Sequence, residues 1–220
     1  MRELDIDRTG MNFTRNWFVK RNLATFREKV HPMFADKPIT YLEIGVFEGQ
    51  SFVWMLQHVL KHPDSRAVGI DPWLWTEKMN NVEMQGVKYR AHMNVAARVS
   101  NLPESYRFTK DGLPKDFLIQ GNSNEVLRRM FGRKGFAGIK PGMLDLCMID
   151  GAHNSLAVWD DARLVLQLLK PGGVMMFDDV ENDVPKKDHV KEGIELFLQE
   201  AGNQVSLLWK DRHMEAYIKQ

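Results

Sequence analysis

Two apolar runs in this 220-residue chain end in side chains capable of acid–base or metal chemistry. One ends Ile149-Asp150-Gly151-Ala152-His153, the other Phe177-Asp178-Asp179. If the runs are neighbouring strands, their ends lie about 5 Å apart. Three carboxylates gathered there would repel one another and raise one another's pKa. A divalent cation relieves that repulsion, and carboxylate oxygens suit Mg²⁺, Ca²⁺ or Mn²⁺. Asp150, Asp178 and Asp179 are therefore the expected metal ligands. A cation bound to a hydroxyl lowers its pKa, and an imidazole such as that of His153 can take the released proton. Asp150 and His153 are accordingly the expected catalytic residues. A metal-free reading stands beside this one. Asp178 and Asp179 point to opposite faces if the strand runs through them. Asp150 can orient a ligand unaided, and His153 can cap the next helix.

A second constellation lies earlier, in Glu43-Ile44-Gly45-Val46-Phe47-Glu48-Gly49-Gln50-Ser51. Gly45 lets the chain turn tightly and Gly49 lets backbone approach a ligand or helix. The helix expected from Ser51 offers unpaired N–H groups at its start. A dinucleotide fingerprint needs G-x-G-x-x-G to admit a pyrophosphate. Here two glycines are spaced G-x-x-x-G, with Glu43 two residues before the first. A carboxylate there disfavours a pyrophosphate and suits a ligand bearing an amino group and a sulfonium charge. The next apolar run, Arg66–Asp71, ends in an acid that can accept hydrogen bonds from ribose hydroxyls. Trp73 follows, as an adenine neighbour or as a core anchor. A third run ends Gln120-Gly121-Asn122-Ser123, either a border for adenine or an ordinary turn capping a helix. The expected cofactor contacts are Glu43, Gly45, Gly49, Ser51, Asp71, Trp73, Gly121, Asn122, Ser123 and Asp150.

The elements that must position these groups alternate between strand-like and helix-like, the pattern of a parallel sheet covered by helices. Strands are expected at Ile39–Gly45, Arg66–Asp71, Phe117–Gln120, Met143–Asp150 and Val174–Asp178, with two more at Val205–Trp209 and Glu215–Lys219. Helices are expected at Ser51–Leu60, Asn124–Met130, Ser155–Leu169 and Val190–Gln199. In Ser155–Leu169 the spacing of Leu156, Trp159, Arg163, Leu166 and Leu169 predicts the face turned to the sheet. Lys170-Pro171-Gly172-Gly173 is expected to stop that helix. Residues 1–38 form an N-terminal extension. Residues 72–116 form an insertion too long for a structureless loop, with helix expected around Val87–Val99. Both are assigned to substrate binding and lid duty. Asp160, Asp161, Lys186 and Lys187 read as solvated charges.

Composition is that of a globular domain, 44% hydrophobic and 27% charged. A net charge of +1 requires no strongly single-signed partner. The lone Cys147 excludes an internal disulfide, fits a reducing compartment and reads as a small core residue. The charged N-terminus lacks a signal-peptide pattern, and no apolar run is long enough to cross a bilayer. A cytoplasmic location is expected.

Together YLEIGVFEGQS, AVGID, DLCMIDGAHN and LLKPGGVMMFDDV resemble the motifs of a class I S-adenosylmethionine-dependent methyltransferase, and most nearly methyltransferase family 24, which includes relatives of macrocin-type O-methyltransferases. The likeness runs from about Ile39 to Asp179. It implies a Rossmann-like, doubly wound, seven-stranded, mostly parallel α/β sheet with one antiparallel strand near the C-terminus and helices on both faces. One domain over residues 1–220 is expected. S-adenosylmethionine is the implied cofactor, with Mg²⁺ or another divalent cation at Asp150, Asp178 and Asp179. A small-molecule hydroxyl is the expected acceptor. Neither a nucleic-acid nor a membrane partner is indicated, and assembly as a homo-oligomer is open. Transfer to an amine or RNA without metal, and a nicotinamide-dependent oxidoreductase, are the alternatives; Glu43 and the missing third glycine argue against the last.

Overall fold

The computed structural model of the chain describes residues 4–74, 81–100, 118–180 and 189–220. Its strands are β1 (Thr40–Ile44), β2 (Arg66–Asp71), β3 (Leu118–Gln120), β4 (Leu144–Ile149), β5 (Leu169–Phe177), β6 (Val205–Lys210) and β7 (Glu215–Lys219). They form one sheet in the order β3-β2-β1-β4-β5-β7-β6. The pairs β2–β3, β1–β4 and β4–β5 are parallel, and β7 runs antiparallel to both β5 and β6. This is the Rossmann-like sheet that the motifs imply.

Contacts divide the chain into two compact units, one of residues 1–39 and 46–120, the other of residues 40–45 and 121–220. The first begins with short helical turns, α1 (Trp17–Arg21), α2 (Leu23–Thr25), a π-helical turn at Phe26–Val30 and α3 (His31–Phe34). Their apolar side pins down α4 (Gln50–His58): Phe26 meets Phe18 edge-on at 4.9 Å and Trp54 at 5.4 Å. The Trp54 indole N–H donates to Leu4 O at 2.8 Å. Much of the N-terminal extension is thus core, with Phe18, Leu23, Phe26, Val30 and Phe34 all buried. The expected helix in the insertion is α5 (Asn81–Ser100), which begins earlier than the expected Val87. It buries Val87, Ala91, Asn94 and Val95, a helical stripe. The rest of the insertion, residues 75–80 and 101–116, lies outside the described residues, as do Phe117, Lys186 and Lys187.

In the second unit β1 and β4 lie side by side, Tyr41 opposite Leu146 through Ile44 opposite Ile149. Every residue of β4 is buried, as expected of a parallel strand covered on both faces. Cys147 is within it, and burial pushes its thiol pKa well up. The helices are α6 (Ser123–Met130), α7 (Ser155–Leu168) and α8 (His189–Ala201). Two expectations are corrected here. The buried face of α7 is not the Leu156–Trp159–Arg163 line: Leu156 is 67% exposed, and Val158, Asp161, Ala162, Val165 and Leu168 are buried instead. The reason is a second contact. Gly193 of α8 lies so close that a Cβ there would sit 2.7 Å from Val158 Cβ, which turns the helix. Trp159 is left at the margin, donating to Glu200 of α8 at 2.8 Å with Arg163 over its ring. The second correction concerns Lys170–Gly173. The helix does stop, but Leu169 already pairs with Leu144, and the register then skips to Leu146 opposite Val174. The intervening residues form an irregularity inside β5, with Gly172 at φ +76°.

Candidate active site

In a doubly wound sheet, ligands gather where strand order reverses, at the carboxyl ends. Here that point is β1 and β4, whose connections leave in opposite directions along the sheet. Gly45 follows β1 at φ +89°, and an added Cβ would lie 1.8 Å from the Asp150 carbonyl oxygen. Asp150 N–H donates to Ile44 O at 2.8 Å, so the two strand ends are tied backbone to backbone. Glycine is required by the approach of β4 as much as by the turn.

Beyond Gly151 the chain brings His153 back. Its Nε2 lies 4.0 Å from Asp150 Oδ1 and 3.2 Å from Asp179 Oδ2. One donor atom from each of Asp150, His153 and Asp179 lies within 4.8 Å of the others, close enough for one cation to reach all three. Asp178 is not in that group. Its amide donates to Ile149 O at 3.1 Å, its own Oδ1 accepts the Asp179 amide at 2.8 Å, and the residue is buried. Asp179 then turns at φ +56°. The strand ends at Phe177, so the two consecutive acids stand in different surroundings.

Glu43 is fully buried in β1, where Tyr41, two residues back on the same side, donates its hydroxyl to Oε2 at 2.6 Å. Burial first, and the Glu43 carboxylate second, push the Tyr41 hydroxyl far above its ordinary value, so it stays a donor. Gly121 admits no side chain beside Val126, whose Cγ2 would be 2.8 Å from a Cβ. Asn122 caps α6 by accepting from Asn124 N–H at 3.0 Å. Ser123 Oγ donates to Asp161 Oδ2 at 3.0 Å.

Asp161 is therefore no solvated charge. It is 3% exposed, and its pKa rises from 3.8 to about 6, through burial first, with the Ser123 hydrogen bond opposing and the Asp160 charge adding. The folded chain then holds a proton that the unfolded chain has released, so stability falls as pH rises from about 4 to 6 and stays lower above. The deficit is about 3 kcal/mol. Asp161→Asn keeps an acceptor for Ser123 without the charge. Its midpoint should match wild type at pH 4 and exceed it by roughly 6–12 °C at pH 8 in thermal unfolding.

In the first unit, Gly49 at φ +79° precedes α4, and Ser51 sits buried in its first turn. Asp71 ends β2 with both oxygens engaged: Oδ2 accepts Phe47 N–H at 2.9 Å and Oδ1 accepts Trp73 N–H at 2.7 Å. Burial raises its pKa, and these amides pull it back. Trp73, at φ +41°, is an anchor: it is 4% exposed, donates its indole N–H to Phe47 O at 2.9 Å, and has His92 5.2 Å from its ring.

Sequence reasoning missed the buried partners of the turn at Val46–Gly49. Glu48, 2% exposed, accepts from Thr14 N–H and Thr14 Oγ, each at 2.7 Å, and from Arg90 Nε. An acid between two glycines was the available signal.

A family described as a methyltransferase domain matches residues 42–180. The chain belongs to this methyltransferase family. The chain is 27% identical over 173 residues to an uncharacterized protein of Acanthamoeba polyphaga mimivirus, covering 79% of this chain and 62% of that protein. The chain thus spans less than two thirds of the curated relative it matches. Its fold is similar to that of CalS11, a calicheamicin methyltransferase, with a TM-score of 0.62 at 15% identity over 94% of this chain and 86% of that one. It is also similar to MycE, a methyltransferase of the mycinamycin biosynthetic pathway solved with Mg, S-adenosylhomocysteine and mycinamycin VI. There the TM-score is 0.52 at 16% identity, over 94% of this chain and 50% of that one. Among the described residues, no helix is long and apolar enough to cross a membrane.

Proposed function

We propose that this methyltransferase moves the methyl group of S-adenosylmethionine to a hydroxyl of a small molecule, with residues 1–220 acting as one catalytic domain. The observation that carries the chemistry is the convergence of Asp150, His153 and Asp179 within 4.8 Å. S-adenosylmethionine brings both methyl group and leaving group, so the protein's task is to align the acceptor and make it nucleophilic. Asp150 and Asp179 would hold a divalent cation, whose contribution is to lower the pKa of a hydroxyl bound to it. MycE, solved with Mg, supports that assignment. His153, half exposed and 3.2 Å from Asp179 Oδ2, accepts the hydroxyl proton. Asp178 sets the turn that aims Asp179. Asp71, beside its bonds to the Phe47 and Trp73 amides, is the acceptor for ribose hydroxyls. Glu43 supplies negative charge for a cationic ligand, and Gly45, Gly49 and Ser51 border that ligand, Gly45 through its backbone, because Asp150 fills the space a Cβ would need. Gly121, Asn122 and Ser123 border the adenine, and Trp73 holds the Phe47 carbonyl in place. The test is methyl transfer from labelled S-adenosylmethionine to a panel of hydroxylic small molecules, with Mg²⁺ or with chelator. Label in an ether product, dependent on the cation, is expected. Label only in amines or RNA would overturn the acceptor assignment, and transfer indifferent to chelator would overturn the metal role.

A further inference from the structure

We infer that Glu48 is a positioning residue that couples the N-terminal segment at Asn12–Trp17 and helix α5 to the cofactor turn. The inference rests on the S-adenosylmethionine reading above. Three observations carry it. Glu48 is a carboxylate 2% exposed, and its oxygens take donors from two distant segments, Thr14 through amide and hydroxyl and Arg90 through Nε. A buried carboxylate with one charged and two neutral donors is well compensated, whereas deleting it leaves all three donors with a lost acceptor. Next, the same two segments meet the backbone of the turn. Asn94 of α5, 1% exposed, donates to Glu48 O at 3.0 Å and to Asn12 O at 2.9 Å, and its Oδ1 accepts Asn12 N–H at 2.7 Å. Gln50 donates to Arg15 O at 3.2 Å, and the Trp17 ring lies 5.0 Å from that of Phe47. Finally, the turn is strained at the residue before Glu48: Phe47 sits at φ +50°, a conformation costly for a side-chain-bearing residue that persists only where its surroundings over-determine it.

Asp71 and Trp73 hold Phe47 from the β2 side, through its N–H and its C=O. Glu48 fastens the next residue to Thr14 and Arg90. Losing it frees the turn to relax out of the left-handed region and frees Asn12–Trp17 to detach. Because linkage is reciprocal, a ligand that needs the turn in its present form must also fasten the segment. Arg15 and Trp17, each about half exposed, ride on that segment, so its docking also sets which surface meets an acceptor.

The experiment is calorimetric titration of the full chain with S-adenosylhomocysteine, paired with amide hydrogen exchange of residues 10–18. Glu48→Ala should lose at least about tenfold in affinity, and Glu48→Gln, which keeps an acceptor for Thr14 but not the charge for Arg90, should fall between. In wild type the ligand should slow exchange at residues 12–15; in Glu48→Ala it should not. A purely structural role would lower the melting midpoint yet leave this ligand-dependent protection intact. Wild-type affinity in Glu48→Ala, or exchange at residues 12–15 indifferent to ligand in wild type, overturns the inference. Should Glu48→Ala fail to fold, Glu48→Gln and Thr14→Val carry the same two readouts. If wild type itself does not bind S-adenosylhomocysteine, the cofactor reading fails. Faster ligand-free exchange at residues 12–15 in Glu48→Gln would still establish the coupling, and unchanged exchange would refute it.

Discussion

Gly45→Ala should be among the most damaging single-methyl additions in this chain. Two costs add. The residue sits at φ +89°, where L side chains are strained by about 1–2 kcal/mol. The new Cβ would also lie 1.8 Å from Asp150 O, 2.4 Å from Asp150 C and 2.8 Å from Gly151 Cα. These are backbone atoms at the end of a buried strand, tied to the same turn by the Asp150 amide on Ile44 O, so neither side can yield alone. A loss of roughly 4 kcal/mol or more is expected, in the range of overpacked and strained sites. That corresponds to a midpoint lowered by roughly 8–16 °C, or to a chain that does not accumulate folded. Gly172→Ala is the control. It shares the positive φ, at +76°, but nothing lies within 4 Å of its Cβ, so only the backbone strain of about 1–2 kcal/mol should register. Equal losses at the two positions would show that the close approach of β4 is not what Gly45 serves.

Asp179→Asn should separate chemistry from stability in the opposite way. Asp179 follows the last strand residue, is partly exposed, and directs its carboxylate to His153 rather than into the core. Its replacement by a neutral isostere leaves the φ +56° turn possible, since asparagine tolerates the left-handed region. Thermal stability should therefore change by less than about 1 kcal/mol. Divalent-cation affinity, read by calorimetry with Mn²⁺, should fall by at least about a hundredfold, because one of two carboxylates is gone. Methyl transfer should fall by roughly 10²–10⁴, the range associated with losing acid–base assistance. Asp178→Asn should show the reverse balance, a larger stability loss with cation affinity less affected, since Asp178 is buried and binds the Asp179 amide. Identical behaviour of the two variants would contradict the division of labour between these adjacent acids.

The sheet was readable because each parallel strand is an apolar run that ends in a polar or glycine residue. β4 shows the logic: Leu144–Ile149 is buried throughout, and Asp150 comes directly after it. Asp150 and Asp178 are the first polar groups past two strand ends, and His153 and Asp179 follow within three residues of them. Other features depend on contacts that local pattern does not encode. The face of α7 is set by Gly193 of α8, so the apparent apolar line through Leu156 is misleading and Asp161 is buried. Glu48 meets Thr14 across 34 positions and Arg90 across 42, and nothing in its own neighbourhood announces either. Asp178 and Asp179 are indistinguishable by type; only the end of β5 at Phe177 assigns them. Trp73 was ambiguous between ligand face and anchor, and its bond to Phe47 O, depending on a backbone at φ +41°, could be seen only in three dimensions.

The central claim is that the turn after β1 and the acid ending β2 serve an adenosyl sulfonium ligand. Calorimetric titration of the full chain with S-adenosylhomocysteine and, separately, with NAD tests it most directly. The account predicts saturable one-site binding of S-adenosylhomocysteine, weakened by Asp71→Ala, and no binding of NAD at the same concentrations. Binding of NAD without binding of S-adenosylhomocysteine would contradict it.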